Sequence, residues 1–221
     1  MMKEVKLIVS DMDGTLIKYP CGIYGSSWEA VAHAIGKGGK SERLLDYYMY
    51  HKDLYGAWVI EFAKLLTNVP TKRVTEKIFP TPYIDGVQKT FSELKSEYPQ
   101  IKTGILTNGV DIVAKEVAKD LDMDFFVANE LEANDGRFTG IAKCNVDLWK
   151  KDDALMDIAK KYNASADEIC FIGDNENDIP CFDVCGYGIA FQPKTELVKR
   201  HATKSADDFS EIKNILKKLI E

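Results

Sequence analysis

The segment Val5-Lys6-Leu7-Ile8-Val9-Ser10 runs directly into Asp11-Met12-Asp13-Gly14-Thr15. A short apolar run rich in β-branched residues reads as a strand buried on both faces, the condition of a strand inside a parallel sheet. The carboxyl end of such a strand is where ligands bind in open α/β sheets. Here that end carries two aspartates one residue apart. Carboxylates so placed repel each other unless a cation, a shared proton or a division of roles separates them. Asp13-Gly14 alone is an ordinary turn signal. The whole Asp-x-Asp-Gly-Thr string behind a buried strand is far less ordinary.

The rest of the chain fixes what surrounds that strand. From Tyr24 to about Phe79 the pattern is helical. Ser26-Ser27-Trp28-Glu29 reads as an N-cap entering an amphipathic helix that stops near Gly36. Residues 36–39 read as a loop. Apolar spacing over 41–66 predicts helix with a break near Gly56, and 71–79 predicts a further helix. Pro80-Thr81-Pro82 then stops helix formation. Residues 18–82 are therefore expected to form a helical module inserted into a core made of 1–17 and 83–221. Aromatic residues concentrate in and beside the module, at Tyr19, Tyr24, Trp28, Tyr47, Tyr48, Tyr50, Tyr55, Trp58 and Tyr83. They fill a small bundle, or a few of them line a pocket.

After the module the chain alternates. Helices are expected near 85–97, 110–121, 151–162, 178–184, 194–201 and 208–220. Between them lie strands at 101–107, 125–128, 169–174 and 187–191. Asn134-Asp135-Gly136 marks a hairpin turn between extended pieces at 129–133 and 137–142. Strands separated by helices imply an α/β fold with a Rossmann-like parallel sheet and right-handed crossovers.

Composition narrows the partners. Twenty-nine basic against 35 acidic residues leave a net charge of −6, so no global basic field draws nucleic acid or anionic lipid. No apolar run has the length of a membrane span. With the first strand expected from Val5, no signal peptide is expected ahead of it. Cys21, Cys144, Cys170, Cys181 and Cys185 form no C-x-x-C pair. They read as free thiols of a reducing, cytoplasmic setting. Nothing demands more than a monomer, and the aromatic surfaces allow a homodimer.

Three strand ends carry groups suited to phosphate or metal. The first holds Asp11 and Asp13. The second, Thr107-Asn108-Gly109, is expected to lead into a helix whose free N–H groups suit an anion. The third, Gly173-Asp174, is followed by Asn177 and Asp178. Parallel neighbours would bring these ends together, and the resulting carboxylate cluster calls for a hard divalent ion, with Mg²⁺ the usual choice beside phosphate. A lysine would complete the charge balance. Lys150 and Lys151 open a helix, where the dipole disfavours a cation, so one of them is expected to turn to the site.

Taken together these residues resemble the haloacid dehalogenase superfamily. Asp11-Met12-Asp13-Gly14-Thr15 is similar to its first motif, Thr107-Asn108-Gly109 to its second, Lys151 (with Lys150 as fallback) to its third, and Gly173-Asp174 with Asp178 to its fourth. Gly173-Asp174-Asn175-Glu176-Asn177-Asp178 and Gly188-Ile189-Ala190-Phe191-Gln192-Pro193-Lys194 bring the core nearest to phosphoserine phosphatases. The resemblance implies a Mg²⁺-dependent phosphatase of small phosphorylated metabolites, with the inserted helices as a cap. It assigns Asp11 as nucleophile and Asp13 as general acid and base. Asp11, Asp13, Asp174 and Asp178 would hold or orient the metal, and Lys151 would offset charge. Gly14, Thr107, Asn108, Gly109 and Asn177 would contact substrate. Two departures concern the serine part of the substrate. Pro20 falls where those phosphatases carry a glutamate, the nearby acid being Glu29, and Ile60 falls at the register of their cap arginine, with Arg43 and Arg73 elsewhere. A phosphotransferase or mutase using the same chemistry, and a phosphate-accepting signalling module, share most of these motifs.

Overall fold

The computed structural model describes residues 4–49 and 51–220. Seven strands form one sheet in the order β4-β3-β2-β1-β5-β6-β7, parallel except for β4. β1 (Leu7–Ser10) lies at the centre between β2 (Lys102–Val110) and β5 (Ile169–Gly173). The chain leaves β1 toward β2 and returns on its other side at β5. That reversal opens a crevice at the strands' carboxyl ends.

β1 has helices on both faces because its side chains alternate. Ile8 belongs to the apolar core on one face of the sheet, and Leu7 and Val9 to the core on the other. All three are 0–1% exposed. Complete burial of such a side chain contributes about 1.5–3 kcal/mol. Phe171 on β5 joins Leu7 and Val9, while Cys170 and Ile172 join Ile8. β6 (Tyr187–Phe191) and the three-residue β7 (Lys204–Ala206) complete one edge of the sheet.

Between β1 and the remaining core lie α1 (Ser27–Ala34), α2 (Gly38–Met49), α3 (Tyr55–Lys64) and α4 (Thr71–Ile78). α2 starts before the expected Ser41, and the helical run turns at Lys52–Leu54 rather than at Gly56. Gly56 lies in the first turn of α3. Its propensity cost of about 1 kcal/mol is outweighed by burial of Tyr55, Trp58, Val59 and Phe62 on the same helix. Tyr50 lies outside the described residues.

α5 (Val87–Glu97), α6 (Asp111–Asp120), α7 (Lys151–Lys161), α8 (Ile179–Val184), α9 (Glu196–His201) and α10 (Phe209–Ile220) cover the sheet. No helix among the described residues is long and apolar enough to cross a membrane.

The expected pieces 125–128 and 129–133 are one strand, β3 (Phe125–Asn134), whose first half pairs parallel with β2 and whose second half pairs antiparallel with β4 (Arg137–Lys143). Asp135 and Gly136 take φ of +48° and +73°, the two left-handed positions of a two-residue hairpin turn.

Candidate active site

Four chain segments converge at the crevice. Immediately beyond β1, the Asp11 N–H bonds the Ile172 carbonyl at 2.8 Å, which ties the first aspartate to the neighbouring strand β5. The backbone then closes a tight loop in which the Leu16 N–H bonds the Met12 carbonyl and the Gly14 N–H bonds the Ile17 carbonyl. Gly14 has φ +89°, and a Cβ there would collide with the Asp174 carboxylate. Glycine is required by both conformation and crowding.

Of the two candidate lysines, Lys151 is the one that reaches the strand-end aspartates. Lys150 is exposed, whereas Lys151 is 0% exposed. The Lys151 ammonium donates to Asp11 Oδ1 at 2.8 Å and to Asp178 Oδ1 at 2.7 Å. Burial works against its charge, but Asp11 and Asp178 outweigh burial and hold the lysine above its ordinary pKa. It stays protonated although it stands at the unfavourable N-terminus of α7. The Phe171 ring lies 5.7 Å below it.

Asp178 is hydrogen-bonded through both carboxylate oxygens. Its Oδ2 accepts from the Asp174 N–H at 2.9 Å and the Asn175 N–H at 3.1 Å, while Oδ1 takes Lys151. It therefore shapes the loop after β5 and holds the lysine. Asp174 accepts from the Thr15 hydroxyl at 3.2 Å through Oδ1. Its Oδ2 has no hydrogen bond of good geometry but sits 2.5 Å from the Lys194 ammonium. Burial, then the Asp178 charge, push Asp174 upward against the pull of Lys194. Burial likewise raises Asp11, to about 8, against the attraction of Lys151.

These three buried carboxylates each offer an oxygen, all within 4.8 Å of one another. A set of three hard carboxylate donors, one more than the two lysines Lys151 and Lys194 that face it, fits a divalent ion such as Mg²⁺. Asp13 side-chain oxygens are not part of this cluster.

Asp13 instead faces the helical segment. Ser27 gives it two hydrogen bonds, from its hydroxyl to Oδ2 at 2.6 Å and from its N–H to Oδ1 at 2.9 Å. Burial pushes the Asp13 carboxyl up to about 6, against these two bonds, which favour its ionised form. Ser27 can turn its side chain to this task because Ser26, one residue earlier, caps α1 by accepting from the Glu29 N–H.

The second motif is more strand-like than its sequence suggested. β2 continues through Thr107, Asn108 and Gly109 to Val110, and α6 opens only at Asp111. A register shift between Leu106 and Val110 accommodates the polar residues within the strand. Thr107 Oγ1 accepts from the Gly109 N–H at 3.0 Å. The Asn108 carbonyl collects Trp28 Nε1 at 2.8 Å, Asn129 Nδ2 at 2.9 Å and the Tyr55 hydroxyl at 3.0 Å. The Asn108 side chain donates to the Val146 carbonyl and accepts from Asn177 Nδ2 at 3.0 Å. A Cβ on Gly109 would stand 2.6 Å from both Asp13 Oδ2 and Ser27 Oγ, so only glycine fits there.

A cavity of about 320 Å³ opens above these groups, and its walls include Asp11, Asp13, Thr107, Asn108, Gly109, Asp174 and Asn177. Ser27 and Lys194 were absent from the sequence-derived set. Ser27 was hidden because a Ser-Ser pair at a helix start already has a capping role. Lys194 was visible only as part of the run following β6.

Residues 8–183 match the haloacid dehalogenase-like hydrolase family, and the chain belongs to it. A phosphoserine phosphatase of Methanocaldococcus jannaschii is 26% identical over 201 residues, covering 90% of this chain and 92% of that protein. A phosphoserine phosphatase of Archaeoglobus fulgidus is 27% identical over 197 residues, 88% of this chain but only 55% of the relative's length. Against that protein the chain spans about half. A solved structure described as a phospho-aspartyl intermediate analogue of phosphoserine phosphatase superposes with a TM-score of 0.78 at 26% identity, covering 96% of this chain and 99% of that one.

Proposed function

We propose that this protein is a phosphatase that hydrolyses a small phosphomonoester through a phosphoryl group carried on Asp11. The observation that carries the reading is the buried Lys151 ammonium, shared between Asp11 and Asp178 at 2.8 and 2.7 Å. A carboxylate needs no activating base; burial opposes the ionised form of Asp11 and Lys151 favours it, and once ionised Asp11 repels an anionic phosphate. A buried cation fixed against it reduces that repulsion where the reaction needs it.

Asp11 attacks phosphorus, the ester P–O bond breaks, and an aspartyl-phosphate forms. Asp13, held by Ser27, protonates the departing alkoxide. It then takes a proton from the water that attacks the same phosphorus, releasing inorganic phosphate and restoring Asp11. Thr107 and the backbone at Asn108 and Gly109 are assigned to the phosphoryl oxygens. Asn177, tied to Asn108, borders the substrate. Mg²⁺, held by Asp11 and Asp174 with the Asp13 carbonyl and with Asp178 behind them, would supply positive charge to the phosphoryl oxygens.

In this reading residues 18–82 are a cap over the core of 1–17 and 83–221. Support comes from the cavity walls, where Trp28, Leu45, Tyr55 and Trp58 face groups from the strand ends. The substrate is a small phosphorylated metabolite, and the setting is cytoplasmic. The relative's phospho-aspartyl structure supports the covalent step by likeness.

The test is phosphate release from a panel of phosphomonoesters, with Mg²⁺ and with the ion removed by chelation. The expected result is Mg²⁺-dependent release that Asp11→Asn abolishes while the variant keeps its fold. Release by Asp11→Asn at the parent rate would overturn the covalent scheme.

A further inference from the structure

The same cavity constrains what the phosphate is attached to. A phosphoserine head is a zwitterion, and both of its charges need partners once withdrawn from water. Among the described residues, Arg43, Arg73, Arg137 and Arg200 all lie outside the cavity wall. Arg73 and Arg137 are turned to the carbonyls of Ile35 and Asn68. Lys194 is the basic residue in the wall, and it sits at the phosphate end. It is paired with Asp174, and its ammonium is 3.0 Å from where a Gly14 Cβ would stand.

The acid on the cap side is equally committed. Glu29 Oε1 accepts from the Ile23 N–H at 2.6 Å, and Oε2 accepts from the Tyr24 N–H at 3.1 Å, the Ser26 N–H at 2.9 Å and the Ser26 hydroxyl at 3.1 Å. Both oxygens of its carboxylate are engaged in holding residues 23–26. Ile60, at the register where an arginine would matter, is 48% exposed and outside the wall.

The wall also holds Ser41, Asn175 and the exposed Glu176, but its larger surface is apolar, from Trp28, Leu45, Tyr55, Trp58, Leu148 and Trp149. The polar ends of Trp28 and Tyr55 are already bonded to the Asn108 carbonyl, so these rings offer the cavity carbon surface. Trp58 Nε1 is buried without a hydrogen-bond partner.

Building on the phosphatase reading, the geometry points to a phosphomonoester whose alcohol part is an uncharged, apolar and preferably aromatic body, and away from phosphoserine. The charged groups serve the phosphoryl transfer, and the cap wall selects by apolar contact. A pocket of this kind discriminates by burying carbon, at roughly 10- to 200-fold per well-fitted apolar increment. It disfavours an amino-acid head because the cation in its wall, Lys194, is already paired with Asp174 and leaves the head's carboxylate without a partner.

The experiment compares kcat/KM for benzyl phosphate, O-phosphoserine and phosphocholine with Mg²⁺ present. All three are esters of primary alcohols, so leaving-group chemistry is similar and recognition decides the order. Benzyl phosphate is expected to exceed O-phosphoserine on the order of 10²-fold, and Leu45→Ala is expected to narrow that ratio. O-phosphoserine turning over as well as or better than benzyl phosphate would overturn the inference while leaving the phosphatase reading intact. Phosphocholine in first place would overturn it in favour of a cation-selective aromatic wall. Release from none of the three, nor from 4-nitrophenyl phosphate, would remove the phosphatase reading and this inference with it.

Discussion

Replacing Ser27 by alanine tests the acid–base task proposed for Asp13. The substitution removes a 2.6 Å hydrogen bond to Asp13 Oδ2 and leaves the 2.9 Å bond from the Ser27 N–H to Oδ1. Ser26 still caps α1, and alanine favours the helix. A hydrogen bond to a charged group is worth about 1.5–3 kcal/mol. If all of it acts on the proton transfer, the rate falls about 10- to 150-fold, and the surviving backbone bond places the expectation toward the lower end. The Val110 N–H also loses its acceptor, Ser27 Oγ at 3.2 Å, so stability drops by about 1–3 kcal/mol and a melting curve must accompany the kinetics. The assay is the pre-steady-state rate of alcohol release for two esters. With benzyl phosphate the departing alkoxide needs a proton, and the full loss is expected. With 4-nitrophenyl phosphate the phenolate leaves unaided, and the rate is expected to change little. An equal loss for both esters in a folded variant would refute the claim that Ser27 acts through the acid.

Lys151→Met leaves Asp11 and Asp178 buried without their shared cation. It is expected to lower turnover on the order of 10²–10³-fold and destabilise the fold by about 3–5 kcal/mol, whereas Lys150→Ala leaves both unchanged. A larger effect at Lys150 would reverse the assignment. At the other end of the sheet, burial alone would raise Asp124, but bonds from Lys102 at 2.7 Å, the Thr103 N–H at 3.0 Å and Lys95 at 2.9 Å prevail and hold it at about 2, below its ordinary 3.8. Its folded pKa is depressed, so its contribution is complete above the unfolded value and fades as pH falls from about 4 to about 2. Denaturant midpoints should show Asp124→Asn less stable by about 1–2 kcal/mol at pH 7, allowing for screening of the exposed Lys102, with the gap closing near pH 2.

Much of this was legible because local chemistry and global position agree. The aspartates behind β1 and β5 announce themselves, since buried strands ending in acids have few structural explanations. Lys151 could be singled out from Lys150 only by resemblance, because which of two adjacent lysines turns inward depends on where α7 docks. The length of β2 is hard to read from sequence because Thr107, Asn108 and Gly109 carry turn chemistry, yet they continue the strand through a register shift. β7 has three residues, too few for an alternation to register. Glu29 stood as the nearest acid to the first motif, but its carboxylate belongs to its own loop. Ser27 escaped notice because its partners lie 14 residues before and 83 residues after it, and such contacts have no local signal.

The central claim is that the phosphoryl group passes through Asp11. It is tested most directly in an Asp13→Asn variant given 4-nitrophenyl phosphate with Mg²⁺. The leaving phenolate needs no acid, and the base that activates water is gone, so the intermediate should accumulate. Acid quenching and peptide mass spectrometry are predicted to find one phosphoryl group per chain on Asp11, appearing with the first equivalent of nitrophenolate. Nitrophenolate release with no phosphoryl group on the protein, or with the group on another residue, would contradict the account.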